Sequence, residues 1–161
     1  MIKAIYLVVF SLPLLMAAES IVGEVTAIHD GNTLEVSTKE NQTYRIVLMG
    51  IDCPELQQEY GIEARDFLAQ WLLHEEVTVQ IHGKDRNRNY VGVVLLTEGE
   101  DVRVALLEEG LAWTAEENPI PELEVIRCDA ARNGRGLWHH DTPLAPWTFR
   151  RQQSTLEAKS Q

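Results

Sequence analysis

Between Ser20 and Met49 three β-rich runs follow one another with only short turns between them, and this succession is what most narrows the folds open to the chain. Ile21, Val22, Val25 and Ile28 mark a first β-rich run, and Asp30-Gly31-Asn32-Thr33 is turn chemistry ahead of Leu34 and Val36. A second turn at Lys39-Glu40-Asn41 leads into a third run, Thr43-Tyr44-Arg45-Ile46-Val47-Leu48-Met49. Connections this short join antiparallel neighbours, so the predicted unit is a β-meander. It stops at Gly50, and Pro54 keeps the residue before it, Cys53, out of helical conformation.

Beyond the meander the period changes. Ala64, Phe67, Leu68, Trp71 and Leu72 recur at three and four and predict a helix over Ile62–Leu73, with Phe67, Leu68 and Trp71 in the core. Val77, Val79 and Ile81 then alternate with polar residues, and the polar turn 83–89 leads to Tyr90–Leu96, making five strands. Asp101 is a good N-cap for a short helix that stops at Gly110, and Pro119 and Pro121 open a third helix running to about Arg132. Strands grouped around one helix, instead of alternating βαβ units, point to a mainly β (α+β) chain: a five-stranded closed barrel with three packed helices. With 161 residues, 45 % of them apolar, there is enough for one such core and too little for two. The domain is expected over 20–149, Trp138 and Trp147 pinning its Pro-containing end, and the segment 150–161, without apolar periodicity, is expected to be disordered.

The first eighteen residues carry Lys3, an apolar run from Ala4 to Met16, and the small pair Ala17-Ala18. This is the layout of a cleaved signal peptide over 1–18; as a membrane span the run is short and Pro13 interrupts it. The expectation is an exported protein, secreted or periplasmic, with no stable span once the leader is removed. Cys53 and Cys128 would then meet an oxidising compartment, either paired with each other, free, or bonded to a partner chain. A formal net charge of −11 excludes a basic nucleic-acid coat protein, because the summed field repels polyanions at long range. A cleft containing arginine or a divalent cation can reverse that sign locally.

Four residues group by topology. Asp30 lies in the first turn, Arg45 on the third strand, and Asp52 with Glu55 in the loop after it. If the second and third strands form a hairpin, turn and loop share one end of the barrel, where oxygen ligands would converge on a hard cation. Carboxylates beside an arginine suit phosphodiester chemistry: the guanidinium stabilises charge building on non-bridging oxygens, and a glutamate handles the attacking water. The plainer alternative is that Asp30-Gly31 is an ordinary turn and that Asp52 and Glu55 cap the next segment. His139-His140-Asp141 reads either as a metal or pH-sensitive cluster or as a solvated loop.

The blocks Asp30-Gly31-Asn32-Thr33, Arg45 through Glu55, Tyr60-Gly61-Ile62-Glu63-Ala64, Asp85-Arg86, Leu107 through Ala112, and Ala131-Arg132 with Gly136-Leu137-Trp138 resemble the staphylococcal (micrococcal) nuclease family, in order and with few gaps, from about Ile21 to Trp147. The resemblance implies an OB-fold barrel and Ca2+-dependent hydrolysis of DNA and RNA. It puts the family's metal carboxylate on Asp52, the next, backbone-oxygen ligand on Cys53, the water-orienting glutamate on Glu55, the first phosphate-contacting arginine on Arg45, and the leading aspartate of the turn on Asp30. The departures are as informative. Asn32 stands where the family has a second metal-binding aspartate, and Asn89 where it has a second catalytic arginine, with Arg88 one position away. Thr114-Ala115-Glu116-Glu117 stand where active relatives often carry pocket tyrosines. Calcium affinity should fall with the lost charge, and asparagine does not replace a bidentate guanidinium. Two readings follow: a nuclease weakened by these losses, or a non-catalytic OB-fold module that binds nucleic acid, a nucleotide or a protein partner. A third, structural role, with acidity serving only solubility, would leave Glu55 functionally silent.

Overall fold

The computed structural model describes residues 19–159; the expected leader over 1–18 lies outside the described residues. Five strands close a barrel: β1 (Ser20–Ile28), β2 (Thr33–Ser37), β3 (Thr43–Leu48), β5 (Glu76–Lys84) and β6 (Tyr90–Leu96), in the order β1-β2-β3-β6-β5. Every pairing is antiparallel except β3 with β6, where Ile46, Val47 and Leu48 run parallel to Tyr90, Val91 and Gly92. The interior follows the period of two expected of half-buried strands. In β1, Ile21, Gly23 and Val25 are buried and Val22, Glu24 and Thr26 exposed.

Leu34, Val36, Ile46, Leu48, Val77, Val79 and Val94 fill the barrel, capped by Ala64, Leu68 and Leu72 of α1 (Gly61–Leu72) and by Leu106 and Leu107 of α2 (Val102–Glu108). Phe67 and Trp71 differ from expectation. They are partly buried and pack on each other, ring centroids 6.0 Å apart, because Ala64, Leu68 and Leu72 take the inward stripe of α1. Asp101 caps α2 as expected, accepting from the Arg103 backbone, and the buried Arg103 side chain also donates to the Met49 carbonyl at 3.0 Å. That bond ties α2 to the exit of β3.

A short strand pair and a C-terminal helix lie outside the sequence expectation. The two-residue strand β4 (Ile51–Asp52) pairs with β7 (Trp113–Thr114), matching Ile51 to Thr114 and Asp52 to Trp113. The tail, expected to be disordered from 150, is helical as α4 (Pro146–Lys159), so four helices surround the barrel instead of three. α4 has no apolar stripe to reveal it. Its first turn is anchored by buried Pro146 and by Trp147, which meets Trp113 edge-on at 5.5 Å; Trp113 in turn meets Trp138 at 4.4 Å. None of the helices among the described residues is long and apolar enough to cross a membrane.

The β4–β7 pair is braced by α3 (Pro121–Arg132), where Glu124 accepts from the Thr114 hydroxyl and from Arg127. The Arg127 hydrogen bond, outweighing partial burial and helped by Thr114, holds the Glu124 carboxyl down from 4.5 to about 2. A depressed acid contributes stability that is whole above the unfolded value and is lost as pH falls through the folded one. Glu124→Gln should therefore melt below the parent at neutral pH, and the gap should close as pH falls from 4.5 toward about 2. Thermal melts of both proteins across that range check this; a gap independent of pH would refute the assignment.

Candidate functional site

Local packing brings the Asp30 turn onto the loop that carries Asp52. Asp30 Oδ1 accepts from the Asn32 backbone at 2.9 Å, an Asx turn, and the Asn32 carbonyl accepts from the Leu48 backbone at 2.9 Å. Gly31 lies against Cys53 and Ala64 so closely that a Cβ there would sit 2.6 Å from the Cys53 Cβ. No other residue fits without moving the turn. Asn32 and Asp52 consequently face one cleft of about 490 Å³ at the end of the barrel.

The Asp52–Glu55 loop is fixed from its far side. The Glu55 backbone N–H donates to Gln58 Oε1 at 2.9 Å, the Glu55 carbonyl accepts from the Gln58 N–H at 2.8 Å, and Gln58 Nε2 reaches the Leu144 carbonyl at 3.0 Å. Gly61 opens α1 directly behind, where a Cβ would stand 1.9 Å from the Glu55 carbonyl oxygen. The helix-capping alternative for the two acids does not hold: the N-cap of α1 is Tyr60, and no side chain caps it. The Asp52 carboxylate faces the cleft, and that of Glu55 lies at its edge, on the adjoining depression.

What meets them there is Arg150 of α4. Its Nη1 donates to Asp52 Oδ1 at 3.1 Å and to Glu55 Oε1 at 2.8 Å, and its Nη2 donates to Asp52 Oδ2 at 2.7 Å. The Asp52 side chain is only 18 % exposed, against 34 % for Glu55 and 48 % for Arg150. Burial pushes the Asp52 carboxyl above its usual range; Arg150 opposes this, while Glu55 and Asp30 add repulsion. The two acids hold the guanidinium charged more firmly than usual. Cys53 contributes no thiolate, since complete burial, with Asp52 and Asp30 adding to it, pushes its thiol well up. Both cysteines are free, Cys53 in the core and Cys128 on α3 beside Arg127.

The other candidates fall elsewhere. Arg45 is exposed on β3, and the residue of that strand lining the cleft is Val47, about 7 Å further along the same face. Asp85 and Asn87 of the β5–β6 turn line the opposite wall. Against some desolvation, hydrogen bonds from Asn89 and Asn87 and the charge of Arg45 keep the Asp85 carboxyl below its ordinary range. Asn89 is spent on that carboxylate, donating its backbone N–H at 2.8 Å and its side-chain amide at 2.9 Å. Arg88 is exposed, held at φ 67° by the turn, and absent from the cleft lining. Of His139-His140-Asp141, His140 pairs with Glu59 at 2.8 Å on the surface. No group of three or more His, Cys, Asp or Glu that could hold a metal ion is present among the described residues.

Thus the structure gathers Asn32, Asp52 and Glu55 with Asp30 behind them, separates Arg45 and Arg88 from the cleft, and adds Arg150. Sequence reasoning missed Arg150 by assigning it to a disordered tail. The available signal was local: proline followed by tryptophan opens a helix, and Trp147 and Arg150 then share one face at a spacing of three.

Known proteins resemble the chain on this framework. The family model described as staphylococcal nuclease homologue matches residues 45–140. A protein of Escherichia coli O157:H7 named as an uncharacterized endonuclease is 35 % identical over 145 residues, covering 89 % of this chain and 93 % of that protein. A micrococcal nuclease of Shigella flexneri is 32 % identical over 140 residues, covering 80 % of each. An uncharacterized endonuclease of Haemophilus influenzae is 29 % identical over 130 residues, covering 80 % of this chain and 72 % of that protein.

Proposed function

The chain belongs to the staphylococcal nuclease family, and on that premise we propose that it is an exported hydrolase of nucleic-acid phosphodiester bonds that works with a calcium-type ion at the Asp52–Glu55 cleft. The observation that carries this reading is the cleft itself: Asp52 and Asn32 line it, and Glu55 stands at its edge, outside any capping role and joined to Asp52 through Arg150. The leader-like segment over 1–18 supports export.

The donors suit a hard cation, since Asp52 and Asn32 offer oxygen and the adjacent Cys53 is a fully buried thiol that burial keeps from ionising. Asp52 and Asn32 would hold the ion, with the Cys53 backbone oxygen as the further ligand that the family resemblance suggests and Asp30 as a second carboxylate behind. Such an ion, when bound, offsets the charge of the phosphate. Glu55 receives a proton from the attacking water, its backbone held by Gln58. The water oxygen bonds to phosphorus as the bond to the leaving oxygen breaks, and that oxygen takes a proton from solvent. Asn32 lowers the charge of the ion site by one unit relative to an aspartate there, so the ion is held weakly. Catalysis should need high calcium.

Purified protein, leader removed, should release acid-soluble nucleotides from single-stranded DNA in millimolar calcium and not in chelator, and Glu55→Gln should lower the rate about 100-fold or more. No cleavage at high enzyme and calcium would replace this reading with the binding-module alternative. Asn32→Asp should lower the calcium concentration needed for half-maximal rate by about tenfold, read from a calcium titration. An unchanged midpoint would remove Asn32 from the ion site.

A further inference from the structure

The cleft has a charge imbalance that its carboxylate loop does not correct. Asp52, Asp85 and Glu116 line it, Glu55 stands at its edge, and a phosphodiester would add further negative charge. The wall position on β3 is apolar Val47, and Asn89 is committed to Asp85. Among the described residues, Arg150 is the only cationic side chain lining this cleft. It also lines the adjoining depression beyond Glu55, beside Gln153 and Ser154, so the guanidinium stands where the two depressions meet.

Its geometry suits an anion. The three contacts to Asp52 and Glu55 engage three of the five N–H donors of a guanidinium, leaving the Nε–H and one Nη2–H as an edge of two parallel donors. The next residue, Arg151, is turned to Glu116 at 3.1 Å instead. Pro146 and Trp147 pin the first turn of α4, so Arg150 is presented from a fixed helix start.

We infer that Arg150 is the phosphate-binding arginine of this site, supplied by the C-terminal helix in place of the arginines that strand β3 and the β5–β6 turn do not present to the cleft. Resting on the nuclease reading, this makes Arg150 a catalytic residue: its free edge takes the non-bridging phosphate oxygens, and its ion pair with the two carboxylates is the arrangement of the site without ligand. As a fixed cation beside the carboxylates, it stabilises the charge that grows on those oxygens.

The test uses the full mature chain and a single-stranded oligodeoxynucleotide with calcium, comparing the parent with Arg150→Ala, Arg150→Lys and the surface control Gln152→Ala. Arg150→Ala should lose about 100-fold or more in kcat/KM, Arg150→Lys should lose less because it keeps the charge, and Gln152→Ala should match the parent. Added methylguanidinium should restore part of the rate to Arg150→Ala, which a merely structural role would not allow. A rate for Arg150→Ala equal to or above the parent overturns the inference and makes the ion pair a plug on the carboxylates. Loss without rescue in a variant that melts like the parent overturns it as well. If Arg150→Ala does not fold, a parent-like rate for Arg150→Lys overturns the inference and a rate reduced in kcat/KM supports it. If the parent itself does not cleave, the nuclease reading fails; calcium-dependent binding of the oligonucleotide that disappears in Arg150→Ala still supports an anion-binding Arg150, and equal or absent binding overturns it.

Discussion

Closure of the barrel by the parallel pairing of β3 with β6 is the constraint from which the site follows. Parallel neighbours need a long crossover, so the chain leaves the end of β3, passes through α1 and β5, and returns as β6. The first residues of that crossover are the Asp52–Glu55 loop, and they emerge at the barrel end where the β5–β6 turn arrives with Asp85. Antiparallel closure by a short hairpin would have left no loop there to display. Asp52 is therefore in the cleft, and Glu55 at its edge, because of topology, and the Gly31 contact with Cys53 and the Gln58 clasp on Glu55 refine their positions.

Much of this was readable from periodicity. The meander, the amphipathic helix after Gly61, the Asp101 cap and the five barrel strands are each specified within a window of a few residues, where alternation or turn chemistry acts directly. The Asp30 turn and the Asp52–Glu55 loop could be placed at one end from connectivity alone. What resisted were features decided by distant partners. β4 and β7 have two residues each, too short for any pattern, and exist because Arg103 holds Met49 and Glu124 holds Thr114. Which strand residue would face the cleft depended on register counted from the bend at Gly50, and two residues along a strand separate exposed Arg45 from cleft-lining Val47. The C-terminal segment lacked apolar periodicity because α4 is attached by one end and by ions instead of by a stripe.

Charge distribution explains why a strongly acidic chain can still serve a polyanion. With a net charge of −11, long-range attraction is absent and affinity must be local. The cleft and its edge combine a half-buried aspartate, a glutamate and one guanidinium at distances of 2.7 to 3.1 Å, and partial burial weakens the screening of the Asp52 contact by salt. Elsewhere the described basic residues are largely occupied: Arg103 with Asp101, Arg127 with Glu124, Arg132 with Asp129 and Arg151 with Glu116.

Pairing Arg150 with the two acids also links two parts of the molecule that have little else in common. A helix of α4's fourteen residues is marginal by itself, and its side chains beyond Trp147 and Phe149 are exposed. Its order therefore draws on Pro146, on the Trp113–Trp147 contact and on the ion pairs with Asp52, Glu55 and Glu116. Linkage requires the converse: whatever favours the seated helix favours a charged, oriented Asp52, and whatever takes Asp52 from Arg150 loosens the helix unless it gives the guanidinium another partner. A phosphate arriving together with a cation meets both conditions, since the cation satisfies the carboxylate and the phosphate satisfies the arginine. On this argument the ion pair is the resting arrangement of a site whose two charges are each suited to half of the same ligand.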